Sequence, residues 1–154
     1  MTRSLGRLLG VDFGTVRLGL SITDPDRLIA SPLETYTRRT LEQDAAYLSN
    51  LVRAQVITGI VLGIAVSLNG HEGPKAMECR TFGAWLEDAT GLPVVFADER
   101  FTSALADDLM HDAKMDRKKR SGRRDMLAAT LILKGFLEGG GVPYQPLPPE
   151  DQVV

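Results

Sequence analysis

Four acidic residues at three places far apart in the sequence are the residues best suited to chemistry. Asp12 ends an apolar run, Asp98 and Glu99 follow another apolar run directly, and Asp125 precedes a third apolar stretch. Carboxylates that lie close together repel one another, so a cluster of them is expected to need divalent cations. Oxygen ligands favour Mg²⁺ or Mn²⁺. Such a cluster predicts two-metal-ion hydrolysis of a phosphodiester.

A basic segment lies immediately before Asp125. Its seven cations are Lys114, Arg117, Lys118, Lys119, Arg120, Arg123 and Arg124. Charges of this kind bind a nucleic-acid backbone with a salt-dependent affinity, although a solvated loop is the simpler interpretation. The segment lacks apolar periodicity and is predicted to stay mobile until a polyanion binds. Arg17 and Arg100 are two more candidate phosphate ligands, and an ion pair with a neighbouring carboxylate is the alternative role of Arg100.

The strands that would position the acids follow from short apolar runs. Two runs joined by a turn at Gly14 predict a β-hairpin with strands over 8–11 and 18–22. A third strand is predicted over 28–33, where Pro32 favours a sheet edge. The remaining apolar runs predict strands over 56–64 and 92–97.

Four helices are predicted from capping residues and helical spacing. The first starts after Thr40, whose capping box uses Gln43, and the second begins at Pro74. Thr102 would cap the third, and the last runs over 125–138 to a glycine stretch. Phe82 and Trp85 fall on the inner face of the second helix and are assigned to the core, so no aromatic platform for single strands is evident.

The element order is β-β-β-α-β-α-β-α-α. It predicts an α/β fold with a mixed five-stranded sheet flanked by helices, in which strand–helix–strand units are parallel. Sites in such sheets form beyond the carboxyl ends of the strands, where Asp12 and Asp98–Glu99 lie. Asp125, as the first residue of the last helix, reaches the same edge if that helix crosses the sheet, and Ala128 and Ala129 are small enough to allow it. Helix capping is the alternative role of Asp125.

Length and composition limit the class of protein. The chain has 154 residues, 44% of them hydrophobic, and a formal net charge of -2. We therefore predict one domain over 1–138 and a Gly/Pro-rich tail over 139–154. Cys79 is the only cysteine, which excludes an intrachain disulfide. No targeting segment or long apolar span is evident, so the protein is expected to be cytoplasmic and away from membranes.

The motifs resemble those of the YqgF family, also called RuvX or Holliday junction resolvase-like proteins. The resemblance rests on 12–15 with Gly19, the loop 63–70, 98–102, and Asp125 with Ala128–Ala129. It implies an RNase H-like fold, divalent-metal nuclease activity and maturation of the 5′ end of pre-16S rRNA. The acidic positions carried over are Asp12, Glu99 and Asp125, as catalytic residues and metal ligands. The chain departs from the family pattern at Val16 and in 63–67.

Other functions stay open at this point. Cleavage of branched DNA at a Holliday junction competes with rRNA processing, and paired cuts would require a homodimer rather than a monomer. The turn at 12–15 also resembles the phosphate-binding hairpin of actin-like ATPases, although one domain cannot form their cleft. A noncatalytic nucleic-acid-binding module is the third alternative.

Overall fold

A computed structural model describes residues 5–100 and 117–146 of the chain. In chain order its elements are β1 (Arg7–Asp12), β2 (Arg17–Thr23), β3 (Ala30–Thr37), α1 (Leu41–Ala54), β4 (Ile57–Ile64), α2 (Pro74–Thr90), β5 (Val94–Asp98) and α3 (Arg117–Glu138). The five strands form one sheet in the order β3-β2-β1-β4-β5. The strands β1, β4 and β5 are mutually parallel, whereas β2 is antiparallel to both of its neighbours. The predicted mixed α/β sheet is confirmed, with β3 at an edge.

Apolar side chains cover both faces of the sheet. Helices α1 and α2 pack on one face, where Leu48 and Leu86 meet Leu9 and Leu62 of the central strands. Helix α3 packs on the other face through Ile132 and Leu133. The helices therefore enclose the sheet in three layers, and its central strands are apolar on both sides.

Small residues let α3 lie directly on the sheet. Ala128 and Ala129 are buried, as predicted, and the Ser21 hydroxyl donates to the Ala129 carbonyl at 2.7 Å. A Cβ atom at Gly10 would overlap Ser21 and Leu133, and one at Gly19 would overlap the Asp125 carbonyl. Helix and sheet thus approach too closely for larger residues here, and this contact fixes the position of Asp125.

The third strand differs from its prediction. It begins at Ala30 rather than at 28, and Leu28 and Ile29 are exposed. The Asp24 carboxylate accepts the backbone N–H groups of both residues at 2.8 Å, which extends the turn. Because the Asp24 side chain accepts these backbone hydrogen bonds, Leu28 and Ile29 stay in the turn and do not join the strand, although both are apolar.

The last helix also differs from its prediction, because it starts at Arg117 and not at Asp125. Lysine and arginine have good helix propensity, so the absence of apolar spacing did not end the helix. Consequently, residues 117–124 are helical rather than a mobile segment, and Asp125 does not cap the helix. The predicted third helix after Thr102 lies outside the described residues.

The first residues of the predicted tail pack on the domain. The Tyr144 N–H donates to the Phe96 carbonyl at 2.8 Å, and the Tyr144 hydroxyl donates to Glu72 at 3.0 Å. The boundary between domain and tail at 138 remains a prediction. Among the described residues, no helix has the length and apolar character needed to cross a membrane.

Candidate active site

Asp12 and Glu99 meet at the carboxyl edge of the parallel strands. Asp12 is the last residue of β1, and Glu99 directly follows β5, with its N–H donating to the Ile64 carbonyl at 3.3 Å. A Cβ at Gly63 would lie 2.6 Å from Glu99 Oε2, so the bare backbone of β4 leaves space for this carboxyl group. The convergence predicted for these two acids is present.

The electrostatics of this pair are unusual. Burial, together with the charges of Glu99 and Asp125, raises the pKa of Asp12 to about 7, and the charge of Arg124 opposes the shift. Burial also raises the pKa of Glu99, although a hydrogen bond from Asp12 lowers it. Two carboxyl groups share a hydrogen bond only when one of them is protonated. This hydrogen bond raises the pKa of Asp12 and lowers that of Glu99, so Asp12 holds the proton. The pair therefore favours a single negative charge.

Asp125 lines the same cleft but holds a different partner. Its Oδ2 atom accepts a hydrogen bond from Arg17 Nε at 2.8 Å, and its side chain is 14% exposed. Arg17 was predicted to bind nucleic acid, and here its Nε atom neutralises a carboxylate. The three predicted acids thus share one cleft, but only two of them are in direct contact.

The donor set partly fits a divalent cation. Carboxylate oxygens are the ligands that Mg²⁺ and Mn²⁺ prefer, and the crowding of Asp12 and Glu99 is the kind that a cation relieves. Within 5–100 and 117–146, however, no three His, Cys, Asp or Glu side chains are arranged to hold a metal ion. The pair Asp12–Glu99 fits a cation, and the third ligand position of Asp125 stays a prediction.

The cleft has a volume of about 550 Å³ and contains residues that the sequence analysis did not identify. Lys75, in the first turn of α2, lines it and lowers the pKa of Glu99. Glu78, one turn further along the helix, also lines it. Lys75 carries no motif, and its only sequence signal is its place just after Pro74 at the start of a helix. That helix follows β4, a strand ending at the same edge.

Asp98 and Arg100 form a local ion pair. Arg100 Nε donates to Asp98 Oδ2 at 2.6 Å, and its backbone N–H donates to Asp98 Oδ1 at 2.9 Å. Arg100 Nη1 also donates to the Leu68 carbonyl at 3.2 Å, which ties this turn to the loop after β4. Asp98 therefore shapes the turn that presents Glu99, and the ion-pair alternative for Arg100 matches the structure.

The basic segment is only partly described. Arg124 lines the cleft, and its positive charge lowers the pKa of Asp12. Arg123 is exposed. Lys114 lies outside the described residues, as do the side chains of Arg117, Lys118, Lys119 and Arg120. Arg124 and Asp125 of the same helix line the cleft. The contact of these cations with a phosphate backbone stays a prediction.

The fold has solved counterparts. A structure titled "T. thermophilus RuvC in complex with Holliday junction substrate" aligns with 92% of this chain and 99% of its own, with a TM-score of 0.56 and 15% identity. A second Thermus thermophilus RuvC structure gives a TM-score of 0.51 over the same coverage. At this identity the likeness concerns the fold, which is RNase H-like as expected.

Sequence comparisons identify the family. Proteins named "Putative pre-16S rRNA nuclease" from Rhodopirellula baltica and Koribacter versatilis are 44% and 40% identical to this chain. The alignments cover 86% and 89% of the chain, and 77% and 90% of these relatives. The family described as "RuvX: Holliday junction resolvase" matches residues 6–139. The chain therefore belongs to the RuvX family of resolvase-like nucleases.

Proposed function

We propose that this chain is a divalent-metal-dependent nuclease that hydrolyses phosphodiester bonds at the 5′ end of precursor 16S rRNA. The carrying observation is the Asp12–Glu99 pair, two half-buried carboxyl groups that share a hydrogen bond beside Asp125. Burying two acids side by side is costly, and a bound divalent cation is one way to relieve that cost. The names of its relatives support precursor rRNA as the substrate.

The acids would act as ligands and the cleft would orient the phosphate. A bound pair of Mg²⁺ or Mn²⁺ ions supplies an activated water and stabilises the leaving oxygen of an in-line displacement. Asp12 must lose its proton to become a ligand, and a pKa of about 7 makes this loss easy at neutral pH. Glu99 and Asp125 complete the acidic ligand set.

Cations around the cleft would hold the substrate backbone. Lys75 faces Glu99 from one wall and Arg124 faces Asp12 from the other, so a phosphate between them meets positive charge on both sides. Arg123, which is exposed and directly precedes Arg124, adds a further positive charge beside the cleft. Such an arrangement steers a polyanion toward the acids and makes its affinity salt-dependent.

A Holliday junction is the second candidate substrate, because the family description names a junction resolvase. The cleft residues recognise a phosphodiester, which both substrates contain. Paired cuts in a junction would require two copies of the chain. We therefore propose a monomer that acts on precursor rRNA, with a homodimer as the state that junction cleavage demands.

Cleavage assays test the proposal directly. Purified protein with Mg²⁺ or Mn²⁺ should cut a precursor 16S rRNA fragment, and a chelator should stop the reaction. Asp12→Asn and Glu99→Gln should each reduce the rate roughly 10³-fold, since several kcal/mol of metal-assisted stabilisation is lost. Asp26→Asn, an exposed carboxylate in the turn after β2, is the matched control and should retain full activity.

The same assay distinguishes the alternatives. Cleavage of four-way DNA junctions in preference to precursor rRNA would replace the substrate proposal and leave the active site intact. Metal-independent cleavage, or full activity in Asp12→Asn, would remove the proposed mechanism. Binding of nucleic acid by the wild-type protein without any cleavage would favour a noncatalytic module.

A further inference from the structure

A second groove of about 540 Å³ opens beside the acidic cleft, between the start of α1 and the exposed side of α2. Three aromatic side chains stack along it, with the buried Phe82, which is 5% exposed, between the half-buried rings of Phe13 and Trp85. The rings of Phe13 and Phe82 lie 4.7 Å apart, and those of Phe82 and Trp85 lie 5.4 Å apart. Leu41 and Met77 line the groove and are 58% and 60% exposed. The accessible surface of the groove is thus formed by Leu41, Met77 and the exposed parts of Phe13 and Trp85, and Phe82 is buried behind them.

This groove is continuous with the acidic cleft. Phe13, Thr15 and Glu78 line both of them, and Phe13 is the residue directly after Asp12. Consecutive Cα atoms are about 3.8 Å apart, so a ligand in the groove lies next to a phosphate held at Asp12. The two cavities therefore suit two parts of one nucleotide, an anionic part and a flat apolar part.

The polar groups of the groove fit a nucleobase better than an aliphatic chain. Arg38 places its guanidinium 5.2 Å from the Phe82 ring centre and 5.7 Å from that of Phe13. Thr15 and Thr81 add hydroxyl groups to the lining, which can hydrogen-bond to a base edge. A mainly apolar cavity with a few polar groups is typical of small-ligand sites.

We infer that this groove binds one unpaired nucleobase of the substrate, from the nucleotide at or next to the reacting phosphate. Bases stack on aromatic side chains with little sequence preference, because every base has a flat π-face. A paired base in a duplex is covered by its neighbours and would not enter. The inference rests on the proposed function and deepens it, since it predicts a substrate with an unpaired nucleotide at the cut.

Tryptophan fluorescence tests the inference without catalysis. Trp85 is the only tryptophan of the chain, so its emission reports on the groove alone. With metal chelated, a short single-stranded oligoadenylate should quench this emission in a saturable way. An abasic ribose-phosphate oligomer of the same length should not. Absence of quenching by the oligoadenylate, or equal quenching by both oligomers, would overturn the inference.

Groove variants supply an independent measurement. Trp85→Leu should weaken oligoadenylate binding roughly 5- to 100-fold, as expected for the loss of one stacked base, with no effect on the abasic oligomer. Met77→Ala, at an exposed position, should weaken it in the same direction even if Trp85→Leu disturbs folding. Leu28→Ala, which removes an exposed apolar side chain from the turn between β2 and β3, is the matched control. Equal losses on both oligomers would contradict base stacking.

The outcomes separate this inference from the proposed function. Base-dependent quenching without any cleavage would keep the groove and remove the nuclease proposal. Asp12-dependent cleavage with no base-dependent quenching would keep the nuclease and remove the groove. If Trp85→Leu instead abolished self-association measured by sedimentation and left oligonucleotide binding unchanged, the groove would be a protein contact and the inference would fail.

Discussion

Two aspartates of this molecule are shielded from solvent, and their pKa values are shifted in opposite directions. Asp44, on α1, is 1% exposed, and its pKa is lowered from the ordinary value. Asp12, at the end of β1, has a pKa raised to about 7. Burial raises the pKa in both cases, so the difference must come from the groups that each carboxylate faces.

Asp44 is surrounded by donors. The Tyr36 hydroxyl donates to it at 2.6 Å, the Arg39 backbone N–H at 2.9 Å and Arg38 Nε at 3.1 Å. These bonds outweigh burial and lower its pKa. The charge of Asp44 is therefore satisfied within the fold, and this carboxylate joins β3 to α1 rather than awaiting a ligand.

Asp12 faces other acids instead. Glu99 and Asp125 both raise its pKa, and Arg124 is the cation that opposes them. Arg124 offsets their charge only in part, so the ionised form of Asp12 is stabilised further when a cation enters the cleft. The comparison teaches that burial alone does not distinguish a structural carboxylate from a candidate for function, and that burial beside like charge marks the candidate.

The largest expected effect follows from removing the satisfied carboxylate. Asp44→Ala should lower the free energy of unfolding by about 3–5 kcal/mol, because Asp44 is 1% exposed and its loss removes the acceptor of Tyr36, Arg38 and the Arg39 N–H. Urea denaturation of the wild type and variant measures this loss. Glu42→Ala, an exposed position on the same helix, should change it little. A loss below about 1 kcal/mol would show that the donors around Asp44 do not depend on its charge.

A smaller effect is expected where backbone contact positions the functional acids. Gly19→Ala should cost about 1–3 kcal/mol of stability and also reduce cleavage, because its Cβ would push the Asp125 carbonyl and shift α3. Gly59→Ala, whose Cβ would meet only the flexible Leu8 side chain at 3.1 Å, is the matched control. Thermal unfolding and cleavage rates check both variants. Full activity in Gly19→Ala would show that the cleft tolerates movement of Asp125.

The sequence predicted the sheet and the acids for a simple physical reason. Apolar runs determine buried strands, and acids at the ends of parallel strands must share one edge. Asp12 and the pair Asp98–Glu99 were placed at that edge in this way, and the family resemblance selected Glu99 from the pair. The capping box of Thr40 and Gln43 and the left-handed Gly91 after α2 were equally local signals, and the structure contains both.

The remaining features depend on contacts between residues distant in sequence. The pairing of Arg17 with Asp125 joins β2 to α3, and the aromatic stack combines Phe13 with Phe82 and Trp85 of α2. No local spacing predicts either contact. Trp85 was assigned to the core because helical periodicity places it on the inner face of α2. Periodicity does not reveal that a groove opens beside that face.

The smallest effect concerns how the stability of the metal-free protein depends on pH. The pKa of Asp12 is raised from 3.8 to about 7, so the folded state holds this proton more tightly than the unfolded chain does. Stability should therefore fall as pH rises from about 4 through about 7. Asp44 has the opposite sign, since its contribution is present above its ordinary pKa and is lost on acidification.

Asp12→Asn should remove the loss of folding stability that ionisation of Asp12 causes as the pH rises. The variant should equal the wild type in stability below about pH 4 and exceed it by about 1 kcal/mol near pH 8, a gain limited by water and Arg124 in the cleft. Urea unfolding across this range in the presence of a chelator measures the difference. Saturating Mg²⁺ should stabilise the wild type and not the variant, because only the wild type gains a ligand that binds the folded state. Equal pH profiles would mean that Asp12 ionises freely, and its contrast with Asp44 would then reflect geometry rather than charge.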